Sequence, residues 1–485
     1  MTTFARSSSR LGATAILVSA LGMAACGAFL GSGATSDAVT PDAAFRRNPP
    51  LGKADPPFVP PPVREGRLAN GIRILLAEDQ RSPLVALSVA IARGAAAAPA
   101  GVANLAFITL YAGTEVRDRS HVASGFQALG AMGTTTLDYD SFALHYTVLP
   151  SGRQKTLGLL AEMLRRPNLS EVEFERDRSW LVTSVQARSP KERIDDALSA
   201  ALYPAGHPYR FDPEGDKTTV GGIGLADVTG FLRTQVRPDQ VVIAAAGHVG
   251  WGELYNDVTD AFGDWSGQAP PLLPVPVPSA ADNAPITLLD QGGANQSEIR
   301  IAALCPSIDS PDRLPFLLLA TALGGTFTSR MNLNLRERHA YGYSPHTQIE
   351  TRRGSGKFSV IASVAGARTG DALKEMLIEL ERVRSADLSS DELALAKVSF
   401  LRTIPDRFST VPATAQTLAR LAAHHRPLDE NERFSRELSS IDTSAVRAVA
   451  EKYLRRDKLR IVILGDAAAV RPQLGDEGVE VAPLR

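Results

Sequence analysis

The sequence predicts a fold of mixed helices and strands, of the α/β or α+β class, built as two homologous halves. Stretches of alternating apolar residues, typical of strands, are interspersed with stretches of helical apolar spacing that run for about twelve residues or more. A Pro-rich run over 267–285 separates two bodies of similar size, and the ends of these bodies resemble each other. A chain of 485 residues is also too long for a single hydrophobic core.

The N-terminal segment has the composition of a secretory signal. Arg6 and Arg10 precede an apolar stretch over 11–25 that is short for a membrane-spanning helix. Small residues before Cys26, in LGMAAC, resemble a bacterial lipobox, whose cysteine becomes the lipidated first residue of the mature protein. We therefore predict a lipoprotein signal peptide over 1–26, export to the bacterial periplasm, and attachment to a membrane through the lipid alone. The alternative is an ordinary signal peptide with an incidental cysteine.

The following segments predict a tether and then the two folded halves. Residues 27–63 are rich in Gly, Ala, Ser, Asp and Pro, which favours a flexible tether. The first half is predicted over 64–266, the second over 286–475, and a tail over 476–485. The predicted elements of the first half are strands at IRILLAED and 85–91, a helix over 101–112, a strand at SFALHYTVL and an amphipathic helix at RQKTLGLLAEML.

Two pairs of segments indicate an internal duplication. The stretch VTGFLRTQVRPDQVVIAAAG (228–247) aligns with VRAVAEKYLRRDKLRIVILG (446–465) at a constant offset of 218 residues. LSEVEF (169–174) and LSSDEL (388–393) match at almost the same offset. Each copy has a helix, a short polar turn and an apolar strand that ends in Gly. Duplication is the simplest explanation of two such matches.

Charge and cysteine content exclude some classes of protein. The chain has 52 basic and 53 acidic residues, a net charge of −1, and no run of five or six like charges, which argues against a nucleic-acid-binding protein. Besides Cys26, the only cysteine is Cys305, so neither an intrachain disulfide nor a cysteine metal site is expected in the mature chain. Cys305 itself is expected to be a small buried residue.

Two-half chains with these segments in this order resemble the pitrilysin/insulysin family of zinc peptidases, which includes the mitochondrial processing peptidase. The resemblance covers nearly all of residues 64–475. It implies an α+β fold in which each half holds a duplicated α/β unit, with mostly antiparallel sheets covered by helices and the halves arranged as a clamshell. The segments that carry the resemblance are NGIRILLAED, GVANLAFITLYAGT (101–114), HPYRFDPEGD (207–216), LGGTFTSRMNLNLRERHAYGYS (323–344) and the paired strands that end in Gly.

The family's metal motif is degenerate in this sequence. Active members have GxAHxxEHxxFxGT at 101–114, because two His at i and i+4 on one helix face can share a zinc ion and the Glu can take a proton from zinc-bound water. Here Asn104 and Ile108 occupy the two ligand positions and Phe107 occupies the position of the base. A carboxamide is a poor zinc donor, and the Ile and Phe side chains offer no lone pair.

The resemblance places a third ligand, a Glu, in a segment FExxRxxxxxEx, which FERDRSWLVTSV (174–185) matches with Ser184 at the ligand position. We expect Asn104, Phe107, Ile108 and Ser184 to face one another around a pocket that binds no metal. A relocated metal site is the alternative, but none of the eight His begins an HxxEH or HExxH. The adjacent His424 and His425 would point about 100° apart on a helix. His207 is expected in a loop, making local hydrogen bonds.

The second half retains a different feature of the family. Active members carry an Arg and a Tyr seven residues apart in a segment like LRExRGxAYS, and LRERHAYGYS supplies Arg336 and Tyr343 at that spacing. In the family the Arg holds the substrate backbone and the Tyr donates a hydrogen bond to the developing oxyanion, both toward the zinc site of the opposing half. Tyr341 is a nearby competitor for the role. The structural alternative is a solvated Arg beside a packed ring.

A chain that lacks the ligands but has the Arg/Tyr pair resembles the non-catalytic subunit of a heterodimeric peptidase. We therefore predict that this chain has no catalytic residue and no cofactor of its own, and that it completes the chamber of a homologous zinc-binding partner that cleaves peptides. The alternative is a structural or peptide-binding protein that uses the same fold without proteolysis.

Overall fold

The structure is a computed structural model that describes residues 58–278, 286–475 and 479–483. The predicted signal peptide, Cys26, most of the predicted tether and the end of the Pro-rich linker lie outside these residues. Within the described part of the chain, no helix is both long and apolar enough to span a membrane.

The first half is organised around one six-stranded sheet. Its strands are β1 (Arg64–Arg67), β2 (Arg73–Glu78), β3 (Val85–Ile91), β4 (Met132–Leu137), β5 (Phe142–Val148) and β6 (Val241–Gly247). Its helices are α1 (Val102–Thr109), α2 (Arg119–Ala128), α3 (Arg153–Arg165), α4 (Glu171–Gln186), α5 (Pro190–Leu202), α6 (Lys217–Gly221), α7 (Leu225–Gln235) and α8 (Trp251–Phe262). The strand order is β1-β2-β6-β3-β5-β4, and only the β2–β6 pair is parallel.

The second half is organised around a second six-stranded sheet. Its strands are β7 (Ile286–Asp290), β8 (Gln296–Cys305), β9 (Gly342–Glu350), β10 (Gly356–Ala365), β11 (Arg460–Gly465) and β12 (Val479–Pro483). Its helices are α9 (Arg313–Ala320), α10 (Thr369–Ser385), α11 (Ser390–Arg402), α12 (Val411–Ala423), α13 (Glu430–Ser440), α14 (Thr443–Tyr453) and α15 (Ala467–Val470). Two π-helical segments, Thr321–Gly325 and Asn332–Arg338, lie between α9 and β9.

The strand order confirms the duplication and the α+β class. The second sheet runs β12-β7-β11-β8-β10-β9, so five strands repeat the order of β2-β6-β3-β5-β4, and most pairs in both sheets are antiparallel. Each half forms a single α+β unit, and not the pair of units expected within each half. The sixth strands differ, because β1 precedes β2 in the first half whereas β12, from the stretch predicted as a tail, pairs parallel to β7 in the second.

Each sheet is covered on one face by its own helices and on the other by a helix of the opposite half. Helix α5 packs against β8 and β11 through Ile194, Leu198 and Leu202, and helix α12 packs against β3 and β6, where alanines of the sheet meet alanines of the helix. Small side chains let the backbones approach closely, and strands buried on both faces lose the polar alternation of a half-exposed sheet. The two halves are therefore joined by a reciprocal exchange of helices.

A buried arginine reinforces the contact between the halves. The guanidinium of Arg352, from the loop between β9 and β10, lies 3.9 Å from the ring centre of Tyr139 and 4.9 Å from that of Tyr209. Tyr203 forms a third wall, and Glu350 pairs with the cation. Stacking on aromatic faces stabilises a desolvated cation. This cluster fixes the second half against the first.

Candidate functional site

Helix α1 carries the degenerate metal motif, and most of it is buried. It begins at Gly101, whose φ of +84° lies in the left-handed region that favours glycine. Phe107, at the position of the catalytic base, is 2% exposed. Its ring stacks on Phe142 with ring centres 3.6 Å apart and meets Phe231 edge-on at 5.6 Å. Phe107 is therefore a core residue of the first half, held by aromatic packing.

Three of the four degenerate positions line one pocket. Asn104, Phe107 and Ile108 form part of a cavity of about 390 Å³ between α1, the edge strand β4 and helix α4. Ser184 is half-buried on α4, one turn beyond Trp180, and is not among the lining residues. The pocket is lined by Asn104, Phe107, Ile108, Tyr111, Arg119, Thr135, Leu137, Phe142, Arg176, Asp177 and Trp180.

An ion-pair cluster forms one wall of this pocket. Arg119, at the start of α2, lies 2.7 Å from a carboxylate oxygen of Glu173 and 2.7 Å from Oδ1 of Asp177. Asp177 is 4% exposed, and its Oδ2 has no hydrogen-bond partner. Burial raises the pKa of Asp177, although the Arg119 charge opposes this shift. The sequence analysis did not identify Asp177. Its spacing of seven residues before Ser184 places the two residues on the same face of the helix.

The residues at this position do not fit a catalytic zinc ion. The three that line the pocket offer one carboxamide and two hydrocarbon side chains, whereas zinc in proteins is held by imidazole, thiolate or carboxylate groups. The nearest carboxylates, Glu173 and Asp177, are paired with Arg119. Over the whole described part of the chain, no group of three or more His, Cys, Asp or Glu side chains is placed to hold a metal.

Several histidines have structural hydrogen bonds. His207 accepts from the Tyr209 amide at 3.0 Å and donates to the Pro276 carbonyl at 3.1 Å, which confirms the predicted local bonding. His145 lies between the hydroxyls of Ser88 and Thr136, and burial lowers its pKa to about 4. His424 meets Asp138 of the first half at 3.2 Å. Cys305 is 1% exposed in the second core, as expected.

The Arg336/Tyr343 pair of the second half lies on the surface. Tyr343 is 73% exposed, and the Arg336 guanidinium lies 4.3 Å from the centre of its ring and 4.8 Å from that of Phe327. Phe327 is itself 62% exposed. Tyr341, in contrast, packs against the second core and stacks on His339. Of the two tyrosines, Tyr343 is the one whose hydroxyl faces outward beside an arginine.

Unusual backbone positions this pair. Arg336 lies in the second π-helical segment, and π-helical turns are rare and often found at functional sites. The short stretch that holds Tyr343 is flanked by Ala340 and Ser344, whose φ angles of 51° and 56° are uncommon for residues other than glycine. Arg330, just before the segment, forms a two-fold hydrogen bond with Glu392 of α11 at 2.6 and 2.9 Å. No pattern in the sequence predicts the π-helical turns.

The chain does not bring the pair and the pocket together. Among the described residues, all those that line the pocket lie between Asn104 and Trp180, in the first half. Arg336, in the second π-helical segment, and Tyr343, near the start of edge strand β9, belong to the second half and do not line the pocket.

The fold agrees with the comparison to known families. The model for "Insulinase (Peptidase family M16)" matches residues 73–208, and the model for "Peptidase M16 inactive domain" matches residues 222–399. The first range lies within the first half, and the second begins before α7 and β6 of the first half and continues into α11 of the second. The chain belongs to peptidase family M16, the insulinase family.

Named relatives and solved structures support the same placement. An uncharacterized zinc protease of Mycobacterium tuberculosis is 25% identical over 419 residues, which cover 85% of this chain and 94% of that protein. The crystal structure of a peptidase M16 inactive domain from Pseudomonas fluorescens matches with a TM-score of 0.74 at 23% identity, over 83% of this chain and 98% of that one. A protease from Helicobacter pylori matches with a TM-score of 0.75 at 17% identity, over 84% and 100%.

Proposed function

We propose that this chain is a non-catalytic subunit of an insulinase-family peptidase, which completes the chamber and the substrate site of a zinc-bearing homologous partner. The observation that carries the proposal is the contrast between the two sites. In the motif helix, Phe107 is packed in the core, whereas Arg336, in a π-helical segment, stacks on the exposed ring of Tyr343.

The proposed role of the pair follows from its chemistry. An exposed tyrosine hydroxyl is a neutral hydrogen-bond donor, and a donor fixed at the point where an oxyanion develops stabilises the transition state. Arg336 stacks on the Tyr343 ring and so restrains it. Its Nε lies 3.2 Å from a carboxylate oxygen of Glu337, and its terminal N–H groups would donate to a peptide carbonyl. The zinc and the general base would come from the partner, and peptides would be the substrates.

The location of the complex forms part of the same proposal. The lipobox-like segment that ends at Cys26 would place the chain in the bacterial periplasm, attached to a membrane by lipid. A partner with an exported leader of the same kind would meet it there. Mass analysis of the mature N-terminus tests this part, and an unmodified terminus or a retained leader would contradict it.

Reconstitution tests the role of the subunit. The purified chain is mixed with a homologue from the same organism that carries an intact HxxEH, and cleavage of unstructured peptides is followed together with size-exclusion chromatography. We expect a complex that cleaves peptides far faster than either protein alone. Two proteins that elute separately, with no gain in cleavage, would contradict the proposal.

One observation favours a second candidate, a peptide-binding protein without proteolysis. Strand β4 is the outer strand of the first sheet, and its residues are mostly exposed. Such an edge presents unpaired backbone groups to which an extended peptide can add as a strand. Under this hypothesis Arg336→Ala and Tyr343→Phe would leave function unchanged, whereas the subunit hypothesis requires large losses in the partner's turnover.

A further inference from the structure

A second cleft in the first half, separate from the pocket beside α1, is lined mainly by basic and apolar side chains. It has a volume of about 420 Å³, within the usual range of small-molecule sites, and lies where the ends of α3 and α7 meet the loop that leads into α4. Its lining contains one carboxylate, that of Glu115, and four guanidinium groups, those of Arg165, Arg166, Arg233 and Arg237. The cleft therefore has an excess of positive charge.

Three of these four arginines are not neutralised by the protein. Of the residues that the structure describes, no carboxylate forms an ion pair with Arg166, Arg233 or Arg237. Arg165 differs, because its guanidinium lies 2.7 Å from Oδ1 of Asp264. A guanidinium without a carboxylate partner keeps N–H donors available for an anionic ligand.

The internal duplication shows that Arg237 could have been neutralised locally. In the second half the equivalent arginine, Arg455, lies 3.0 Å from a carboxylate oxygen of Asp457, two residues further on. In the first half the carboxylate of Asp239 has the same spacing in the sequence, but it accepts hydrogen bonds from the Ala269 amide at 3.0 Å and the Gln240 side chain at 2.6 Å. The first half thus leaves unpaired an arginine that the second half pairs.

Two other arginines of the cleft are absent from the second half. The offset of 218 residues places Glu451 at the position of Arg233, and the alignment of LSEVEF with LSSDEL places Ser385 at the position of Arg166. Arginines in the last turn of a helix offset the partial negative charge of the helix end. Since the second half forms the same two helix ends with Glu and Ser at these positions, the excess of positive charge is a property of the first half and not of the fold.

The excess charge and the donors of the cleft match a phosphate group. Four arginines against Glu115 and the Asp264 that pairs with Arg165 leave two positive charges over. A phosphate monoester carries about −1.5 to −2 charges at pH 7, whereas a carboxylate carries one. Arginine binds two phosphate oxygens at once through parallel N–H donors. Leu169 and Trp265 add apolar lining, which suits the organic group of an ester.

We propose that this cleft binds a phosphate monoester, with Arg166, Arg233 and Arg237 donating hydrogen bonds to its oxygens. The ester is either a soluble molecule or the headgroup of a phospholipid, since both present the same group. The inference goes beyond the role of a peptidase subunit and does not use it. A chain that activates a partner but binds no phosphate would refute only the cleft.

Calorimetric titration of the whole chain at low ionic strength tests the inference. The probes are glycerol 3-phosphate, inorganic phosphate and acetate. We expect both phosphates to bind at least about tenfold more tightly than acetate, and their affinity to fall as NaCl is added, because the charges are partly exposed. Equal binding of acetate and the phosphates, or no binding of either phosphate, would overturn the inference.

Sedimentation with vesicles distinguishes the two sources of the phosphate. Vesicles of phosphatidylcholine are compared with vesicles of phosphatidylcholine and phosphatidic acid, whose headgroup is a phosphate monoester. A lipid anchor on the chain would act on both kinds of vesicle equally. Stronger capture by phosphatidic acid supports the cleft with a lipid headgroup as its ligand, and binding of glycerol 3-phosphate with equal capture by both vesicles supports it with a soluble ester.

Variants at four positions locate the site. Arg233→Gln and Arg237→Gln should each weaken glycerol 3-phosphate by about tenfold, because a hydrogen bond to a charged group is lost. Glu115→Gln should act in the opposite direction and tighten binding, since it removes the carboxylate of the lining. Arg455→Gln, at the position of the second half that corresponds to Arg237, is the matched control and should change nothing. Unchanged affinity in folded Arg233→Gln and Arg237→Gln, weaker binding in Glu115→Gln, or an equal loss in Arg455→Gln would overturn the inference.

Discussion

The two halves share one order of five strands but differ in the exposure of the residues that the family resemblance singles out. In the first half, Phe107 is 2% exposed and stacked in the core. In the second, Tyr343 is 73% exposed beside Arg336. A buried aromatic side chain stabilises the fold through its packing, whereas an exposed one contributes little to the free energy of unfolding. The second half is therefore where function is expected to depend on individual side chains.

The largest effect should be on the stability of the first half. Phe107→Ala removes a ring stacked on Phe142 and leaves a cavity, so we expect a loss of about 3–5 kcal/mol in the free energy of unfolding. Tyr343→Ala should change it by less than about 0.5 kcal/mol. Urea denaturation of the two variants measures both values. Similar losses for both would remove the contrast between the halves.

The next effect concerns the activity of the reconstituted complex. Tyr343→Phe deletes only the hydroxyl, and loss of one preorganised donor typically lowers kcat by about 10²–10³-fold. We expect a loss of this size in the partner's turnover, and a comparable one for Arg336→Ala. Tyr341→Phe is the matched control, because that ring packs against the core, and it should leave turnover unchanged. Equal activity of the Tyr343→Phe and Tyr341→Phe complexes would favour the peptide-binding alternative.

A pH dependence should arise from the first sheet. Burial lowers the pKa of His145 to about 4 from the ordinary value of 6.5. Above pH 6.5 the group is neutral in both states and its contribution is fully present. As pH falls from 6.5 toward 4 the unfolded chain takes up a proton that the folded chain excludes, so the free energy of unfolding decreases, by at most about 3 kcal/mol.

Denaturant titrations at several pH values within that range test the assignment. In His145→Gln, the number of protons taken up on unfolding in this pH range should fall by about one, so the free energy of unfolding should depend less on pH. His346→Gln, on the exposed edge strand β9 of the second sheet, should leave it as in the wild type. A wild-type slope retained in His145→Gln would assign the effect to other groups.

The sequence predicted the fold better than it predicted the surroundings of the sites. The duplication could be predicted because the strands that end in Gly and the segments LSEVEF and LSSDEL recur at nearly one offset. The degenerate motif could be recognised because its spacing is retained. Arg119 and Asp177 form part of the pocket through contacts between α2 and α4, which depend on tertiary packing. The π-helical turns around Arg336 leave no apolar periodicity to detect. The single sheet of each half follows from long-range pairing that local patterns do not encode.

The smallest effect compares two copies of one duplicated feature. Glu173 and Glu392 each follow a Ser cap by three residues and each bind an arginine. Bonding by Arg330 lowers the pKa of Glu392 to about 2, so its stabilising contribution is full above about pH 4.5 and is lost as pH falls toward 2.

At pH 7, Glu392→Gln should cost about 0.5–1 kcal/mol, since the pair is partly exposed. Glu173→Gln should cost less, because Arg119 still pairs with Asp177. Thermal denaturation of both variants at pH 7 and pH 3 measures the difference. The Glu392→Gln loss should shrink at the lower pH, where the wild-type carboxylate begins to take up its proton. A larger loss for Glu173→Gln would mean that the Arg119–Glu173 ion pair contributes more to stability than the Arg330–Glu392 pair.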